Sequence, residues 1–229
     1  MKTAVLVFPG SNCDHDCYHA VKHVMGREAD FIWHQERSLK GYGLVIVPGG
    51  FSYGDYLRPG AIARFSPVMA ALDDFASRGG YVMGICNGFQ ILTEARLLPG
   101  ALVRNDTLKF ICETVNLRVE TSNSFLTSGS ARGDVLRLPI AHMEGCYIAG
   151  EDTLKALDDE DRVLFRYCDA SGNVTRESNP NGAARNIAGV LSEKRNVAGM
   201  MPHPERVMEN PLGGQDGLAL FTSALNALM

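Results

Sequence analysis

Short runs of apolar residues, each closed by a turn of glycine, proline or polar residues, recur along the first half of the chain. Runs of this length are typical of strands buried on both faces of a parallel sheet. Stretches with apolar positions at helical spacing stand between them. The pattern predicts strands at 2–8, 29–33, 44–47 and 81–85 and helices at 14–25, 67–77 and 87–95. Alternating strands and helices predict an α/β fold with a doubly wound, mostly parallel sheet.

After residue 100 the apolar and polar positions alternate, which is typical of antiparallel strands with one solvated face. The alternation predicts such strands at 101–104, 110–120, 135–141 and 145–148. Further strands are predicted at 163–167 and 197–201, with helices at 154–157 and 217–229. No linker, repeat or low-complexity tract interrupts the chain. We therefore expect a single domain over residues 1–229, with a small antiparallel sheet inserted in or appended to the doubly wound sheet.

A cysteine lies at the junction between the predicted strand 81–85 and the helix that follows. The sequence around it, Gly84-Ile85-Cys86-Asn87-Gly88, is the thiol counterpart of a nucleophile elbow, in which flanking glycines allow a sharp turn. We expect an exposed Cys86 sulfur at a helix N-terminus, where the helix dipole favours thiolate over thiol. From this pentapeptide alone, a small buried core cysteine between turn glycines is an equal alternative.

A cysteine nucleophile requires a base, and the base requires a group that orients it. His203 and Glu205 supply both residue types just after the predicted strand 197–201. In an extended segment their side chains project to the same side, so we expect the carboxylate to hold the imidazole. Taken alone, the segment is also consistent with a surface loop whose histidine has no function.

The loop after the predicted strand 44–47, Pro48-Gly49-Gly50, is the candidate oxyanion site. A glycine there allows a backbone N–H to point into a pocket and, with the N–H of Asn87, to hold the oxyanion of a tetrahedral intermediate. We assign this donor to Gly50, and a plain turn is the alternative. Gln90 lies one helical turn after Cys86, where it is suited to hydrogen-bond a polar substrate.

Histidines elsewhere support weaker hypotheses. His15, His19 and His23 recur at helical spacing, but we expect a solvated helix face there and no metal. His142 and Glu144 are suited to form an acid–base pair on a loop, and an interface role or buried partners are the alternative. We keep these two residues as secondary candidates.

Composition narrows the classes of function. With 45% hydrophobic and 21% charged residues, a formal charge of −4 and a pI near 5.9, the chain has no basic surplus to hold nucleic acid. It shows no stretch of about 18 apolar residues that would span a bilayer, no signal peptide and no recognisable nucleotide-binding motif. Its six cysteines form no dense framework. We expect a cytoplasmic protein with reduced thiols and with neither nucleic-acid nor membrane partners.

Taken together, the motifs resemble those of the class I (triad) glutamine amidotransferases. Further segments resemble, nearly from end to end, the family of stand-alone glutaminase subunits of phosphoribosylformylglycinamidine synthase. These segments are Pro48-Gly49-Gly50-Phe51-Ser52-Tyr53-Gly54-Asp55, Leu108-Lys109-Phe110-Ile111-Cys112, Pro139-Ile140-Ala141-His142 with Glu144-Gly145, Asn179-Pro180-Asn181-Gly182, Asn186-Ile187-Ala188-Gly189 and Met201-Pro202-His203-Pro204-Glu205-Arg206. Met143 and Cys146 depart from the family pattern. These two departures affect contacts within their own loop and do not affect the triad.

The resemblance implies that glutamine is hydrolysed to glutamate by a triad of Cys86, His203 and Glu205, through a γ-glutamyl thioester. The oxyanion would rest on the N–H groups of Gly50 and Asn87. The substrate-binding residues implied in addition are Gly49, Gln90, Asn105 and Phe110. The whole chain would then be one glutamine amidotransferase domain.

The same resemblance implies two protein partners and no cofactor bound by this chain. Ammonia would pass to a synthetase subunit that uses ATP and magnesium to convert formylglycinamide ribonucleotide to its amidine in purine biosynthesis, and a small accessory subunit would help assembly. Activity should be weak alone and rise in the complex.

Two alternatives stay open at this point. A cysteine peptidase or deglycase-like protein can share the sheet and the elbow, although the late His-x-Glu argues against it. A scaffolding subunit can keep the fold without the chemistry, although it has no need of an intact Cys86, His203 and Glu205.

Overall fold

The computed structural model describes residues 1–229 and contains eleven strands and five α-helices. In chain order the strands are β1 (Lys2–Val7), β2 (Ala29–Trp33), β3 (Tyr42–Val47), β4 (Tyr81–Ile85), β5 (Ala101–Val103), β6 (Ile111–Val119), β7 (Val135–His142), β8 (Cys146–Ile148), β9 (Val163–Cys168), β10 (Ile187–Leu191) and β11 (Val197–Met200). The helices are α1 (Asp14–His19), α2 (Pro67–Ser77), α3 (Asn87–Glu94), α4 (Glu151–Asp159) and α5 (Asp216–Asn226). Every helix is too short or too polar to cross a membrane.

Nine strands form one sheet in the order β2–β1–β3–β4–β11–β10–β9–β6–β7. The first five of these are parallel to one another, as the α/β pattern predicts. The other four continue the same sheet in antiparallel pairs. A separate antiparallel sheet consists of β5 and β8.

The antiparallel strands correct part of the sequence prediction. The predicted small antiparallel sheet is confirmed by β5 and β8, but β6 and β7, which the alternation assigns to it, extend the main sheet. Alternation reports that one face of a strand is solvated and does not report which sheet the strand joins. Strand β10 is absent from the prediction. Its five residues are all buried, and a short run that contains alanine and glycine has little β-propensity of its own.

Helix α1 is shorter than predicted. It is regular to His19, and residues Ala20–Val24 continue it as a π-helical turn, which changes the spacing of the histidines on this segment. The other four helices agree with their predicted ranges to within a few residues at each end.

The central strands β4 and β11 fix the position of the candidate residues. They pair in parallel, and the Cys86 N–H donates to the carbonyl oxygen of Met200 over 2.8 Å. Phe89 of α3 is fully buried, and a Cβ added at Gly199 of β11 would lie 2.2 Å from its ring. Because parallel neighbours end at the same edge of a sheet, Cys86 and His203 leave the sheet side by side.

Candidate active site

The elbow is the turn between β4 and α3. Cys86 has φ +49° and ψ −108°, a conformation that a residue other than glycine adopts only under constraint. The flanking glycines are sterically required. A Cβ at Gly88 would lie 1.8 Å from the Val47 carbonyl oxygen, and one at Gly84 would lie 2.5 Å from Leu92 Cδ1. Helix α3 therefore packs directly on the end of β3, and the strained turn sets the direction of the cysteine side chain.

The expectation of an exposed sulfur was wrong. Cys86 is only 5% exposed, and its Sγ lies 3.8 Å from the carbonyl oxygen of Ala141 in β7. The unpredicted antiparallel extension of the sheet brings this strand over the elbow. Burial alone would fit the core-cysteine alternative, but a core cysteine does not require a left-handed backbone.

His203 and Glu205 follow β11 and form a close pair. His203 Nδ1 lies 2.6 Å from Glu205 Oε1, and both side chains are almost completely buried. The His203 N–H donates to the carbonyl oxygen of Pro139 over 2.8 Å, which fixes the loop against β7. Residues Pro204–Arg206 form a 3₁₀ turn rather than the expected extended segment. The 3₁₀ turn brings the Glu205 carboxylate to the His203 ring, so the expected contact forms although the backbone is not extended.

The charge of Glu205 controls the proton of His203. Burial lowers the pKa of His203, but the charges of Glu205 and then Cys86 outweigh it, and the pKa is raised well above its usual value. The nearby side chains of Cys13 and Cys86 act in the same direction. Because Nδ1 is engaged with Glu205, Nε2 is the nitrogen left to exchange a proton, and it has no partner within the protein. An imidazole oriented in this way can carry a proton from a nucleophile to a leaving group.

Gly50 lies in a loop that is fastened to the loop after β1. Ser11 and Gly50 form an isolated antiparallel bridge, and the Cys13 N–H donates to the carbonyl oxygen of Gly49 over 3.3 Å. Gly50 has φ +130°, and a Cβ there would lie 2.6 Å from the backbone nitrogen of Asn12. Only glycine therefore fits this position.

The backbone N–H groups of Gly50 and Asn87 are among those near the elbow that have no acceptor in the protein. The N–H of Asn87 belongs to the first turn of α3, where helical N–H groups have no intrahelical partner. Gly49 keeps the neighbouring space open, because a Cβ there would lie 2.8 Å from His203 Cε1 and 3.4 Å from Cys86 Cβ. Free donors beside a nucleophile and a base are what an oxyanion requires.

Gln90 is engaged by the protein. Its Nε2 donates to the Glu144 carbonyl oxygen over 2.5 Å, and its Oε1 accepts from Asn87 Nδ2 over 2.9 Å. Asn87 Oδ1 accepts the N–H of Ser52 over 3.2 Å, and its Nδ2 also lies 3.4 Å from Asp55 Oδ1. Burial, and then the charge of Glu144, raise the pKa of Asp55 to about 6. This network ties the loops after β3 and β7 to the start of α3.

His142 and Asn105 form a buried pair under the loop after β7. Asn105 Nδ2 donates to the carbonyl oxygens of Lys109 and His142, so its Oδ1 is the acceptor for the Gly145 N–H (3.0 Å) and for His142 Nδ1 (3.2 Å). Burial, and then the charge of His203, lower the pKa of His142 to about 4. His142 is thus a neutral imidazole with its proton on Nδ1, and its Nε2 has no partner.

The remaining candidates are distributed around this network. Asn105 is fully buried and supports the loop with all of its polar atoms, whereas Phe110 is 47% exposed just before β6. The side chains of His142 and Glu144 do not pair with each other, since Glu144 lies 3.5 Å from Arg104.

Two groups beside the base, Cys13 and Arg206, were not predicted from the sequence. Arg206 Nη2 donates to Cys13 Sγ over 3.0 Å, and Cys13 is 1% exposed. Cys13 Sγ, a ring nitrogen of His203 and a carboxylate oxygen of Glu205 lie within 4.8 Å of one another. The available signal was the position of Cys13, which follows β1 at the edge where ligands bind in α/β sheets.

The histidines of the first helical segment do not converge. His15 contacts Asp14 over 2.8 Å, and His19 contacts Glu209 over 2.9 Å. They belong to no group of three potential metal ligands, a feature found only at Cys13, His203 and Glu205.

Known proteins resemble this chain over its whole length. Residues 1–212 match the family model described as a CobB/CobQ-like glutamine amidotransferase domain. The phosphoribosylformylglycinamidine synthase subunit PurQ of Koribacter versatilis is 55% identical over 228 residues, which cover 100% of this chain and 99% of the relative. The protein of the same name from Aquifex aeolicus is 53% identical over 226 residues, with 99% and 100% covered. Among solved structures, a chain in the structure of PurLQS from Thermotoga maritima has a TM-score of 0.88 and 43% identity, with 100% and 99% covered.

Proposed function

The chain belongs to the CobB/CobQ-like glutamine amidotransferase family, and we propose that Cys86, His203 and Glu205 carry out its reaction. It is the glutaminase subunit of phosphoribosylformylglycinamidine synthase, which supplies ammonia for purine biosynthesis. The observation that supports the residue assignment is the buried imidazole, held by Glu205 at 2.6 Å, next to a strained cysteine at an elbow. Neither a scaffold nor a core cysteine needs this combination.

In the first half of the reaction Cys86 gives its thiol proton to His203 Nε2, and the sulfur attacks the side-chain amide carbon of glutamine. A C–S bond forms, and the carbonyl electron pair moves to oxygen, where the N–H groups of Gly50 and Asn87 stabilise the negative charge. His203 Nε2 gives its proton to the amide nitrogen, the C–N bond breaks and ammonia leaves. A γ-glutamyl thioester remains on Cys86.

In the second half water replaces ammonia. His203 Nε2 takes a proton from a water molecule, which attacks the thioester carbon and again places charge on the oxyanion donors. The C–S bond then breaks, glutamate leaves and the cysteine is regenerated. Glu205 holds Nδ1 throughout, so the same ring nitrogen serves as acid and then as base.

The partners are a synthetase subunit and a small accessory subunit, the components of the T. maritima assembly PurLQS. We propose that ATP and magnesium act in the synthetase subunit, where formylglycinamide ribonucleotide is converted to its amidine. The steps at Cys86 need only water and protons, so this chain requires neither.

We further propose that the complex opens this site. Cys86 is 5% exposed, so glutamine reaches it only if a neighbouring segment moves. The loop after β3 is a suitable segment, because Tyr53, Asp55 and Leu57 all have positive φ angles that cost conformational energy. A partner that binds this loop would couple ammonia release to its use.

We propose that residues 1–229 act as one amidotransferase domain, because the elbow after β4 and the base after β11 come from neighbouring strands of one sheet. A cytoplasmic location is consistent with six cysteines that are all unpaired.

The test is ammonia release from glutamine by the purified chain, alone and with both partners, ATP, magnesium and formylglycinamide ribonucleotide. We expect weak release alone and strong release in the complex. Cys86→Ala should abolish release, whereas Cys112→Ala, at an exposed cysteine, should not change it. Release by Cys86→Ala, or no release by the wild type in either condition, would contradict the proposal.

A further inference from the structure

Cys13 is a second buried thiol beside the catalytic base, and the reaction described above does not use it. Its Sγ accepts a hydrogen bond from Arg206 Nη2 at 3.0 Å. It also lies within 4.8 Å of a His203 ring nitrogen and a Glu205 carboxylate oxygen. A Cβ at Gly49 would lie 3.2 Å from this sulfur and 2.8 Å from His203 Cε1, so Gly49 lies against both the thiol and the ring.

The backbone of the same residue contacts the other half of the site. The Cys13 N–H donates to the carbonyl oxygen of Gly49, one residue before the oxyanion donor Gly50. Ser11, two residues before Cys13, is bridged to Gly50 itself through the pairing of the two loops. Cys13 therefore connects the oxyanion loop, through its N–H, to the base, through its sulfur.

The Cys13 sulfur is a hydrogen-bond acceptor for a positively charged group beside the base. Arg206 is half-buried, and its Nε lies 3.7 Å from Asp16 Oδ2 and 4.0 Å from Glu205 Oε1, the oxygen that holds His203 Nδ1. Its Nη2 takes the Cys13 sulfur as its acceptor. The sulfur therefore fixes one end of the guanidinium beside the base and ties the segment after β1 to the turn that carries His203 and Glu205.

We propose that Cys13 is a positioning residue for the glutaminase reaction, which fixes Arg206 beside the base and keeps the base and the oxyanion loop in one geometry. The inference rests on the function proposed above. A cation at this cluster is disfavoured, because the positively charged guanidinium already donates to the Cys13 sulfur.

Two effects of removing the sulfur can be measured separately. Cys13→Ala should lower kcat in the complex about tenfold with little change in KM, because a small displacement of the base weakens the transition state and not ground-state binding. It should also move the alkaline limb of the kcat profile to lower pH. The contact with Cys13 is one of the interactions that raise the pKa of His203. Above that pKa the imidazolium that protonates the departing amide nitrogen is lost.

Two variants serve as comparisons. Cys13→Ser retains an oxygen that accepts from Arg206, so it should restore kcat to within about threefold of the wild type. Cys168→Ala removes another buried thiol, at the end of β9, and should change neither kcat nor the pH profile. Cys86→Ala is measured in the same series. If it stays active, the proposed function fails, whatever the result at Cys13.

The proposal is overturned if Cys13→Ala keeps wild-type kcat and an unmoved alkaline limb. It is also overturned if Cys13→Ala and Cys13→Ser reduce kcat equally and leave the alkaline limb of the pH profile unmoved. That result would mean that only packing is lost when the sulfur is removed. Should Cys13→Ala not fold, a folded and active Cys13→Ser supports the requirement for an acceptor. A serine variant that also fails to fold would assign Cys13 to the core and overturn the proposal.

Discussion

Gly50→Ala separates the chemistry of the oxyanion loop from its stability. Gly50 has φ +130°, and an added Cβ would lie 2.6 Å from the backbone nitrogen of Asn12 and 2.9 Å from its Oδ1. Because the closest atom is backbone, it cannot rotate away, and the loop itself must shift. The N–H that we assign to the oxyanion moves with it.

The expected magnitude follows from losing one donor. Removal of a single oxyanion donor lowers kcat by about 10²–10³-fold, equivalent to about 3–4 kcal/mol of transition-state stabilisation. A left-handed backbone at a residue other than glycine costs about 1–2 kcal/mol of folding free energy on its own. The effect on kcat should therefore greatly exceed what partial unfolding explains.

Gly79→Ala is the matched control. Gly79 has a similar left-handed backbone, with φ +90°, but no atom lies within 4 Å of an added Cβ, and it precedes β4 at the opposite edge of the sheet. We expect Gly79→Ala to lose the folding free energy that the left-handed backbone costs, without the added clash, and to keep wild-type kcat. The assay is kcat for glutamine in the complex, with urea unfolding of each variant. A Gly50→Ala protein that is folded and has the kcat of Gly79→Ala would refute the assignment of this donor.

Two further predictions concern the buried histidines. Glu205→Gln removes the main charge that raises the pKa of His203. We expect kcat to fall about 10²–10⁴-fold and the alkaline limb of the kcat–pH profile to move to lower pH. An unmoved limb would contradict the coupling between Glu205 and His203. The pKa of His142 is lowered to about 4, below its unfolded value of 6.5, so the unfolded chain binds the proton first as the pH falls. This residue should therefore cost about 3 kcal/mol of folding free energy between pH 6.5 and 4. His142→Asn, which can keep the hydrogen bond to Asn105, should weaken that pH dependence in urea titrations, and an unchanged slope would contradict the shifted pKa.

The parallel half of the fold could be predicted from the sequence because its central strands contain continuous apolar runs, such as those of β3 and β4. The elbow was readable for a steric reason, since Gly84 and Gly88 stand where no Cβ fits. The antiparallel half was harder, because alternation gives the exposure of a strand and not its neighbours. Strand β10 shows no alternation of apolar and polar positions, because all of its residues are buried. It nevertheless lies between β9 and β11 in the middle of the main sheet.

The features of the site that could not be predicted from the sequence depend on contacts between segments that are far apart in the chain. The burial of Cys86 depends on β7 reaching over the elbow, and the role of Asn105 depends on its meeting His142 across the loop. Cys13 and Arg206 lie at opposite ends of the chain and meet only in the fold. No local pattern encodes such a contact.

The most direct test of the account is the identity of the sulfur that carries the thioester. The complex is mixed with glutamine, quenched in acid within a turnover and digested, and the peptides are mapped by mass spectrometry. We predict a glutamyl adduct on the peptide that contains Cys86 and none on the peptide that contains Cys13. An adduct on Cys13, or glutamate formed without any adduct on Cys86, would contradict the mechanism.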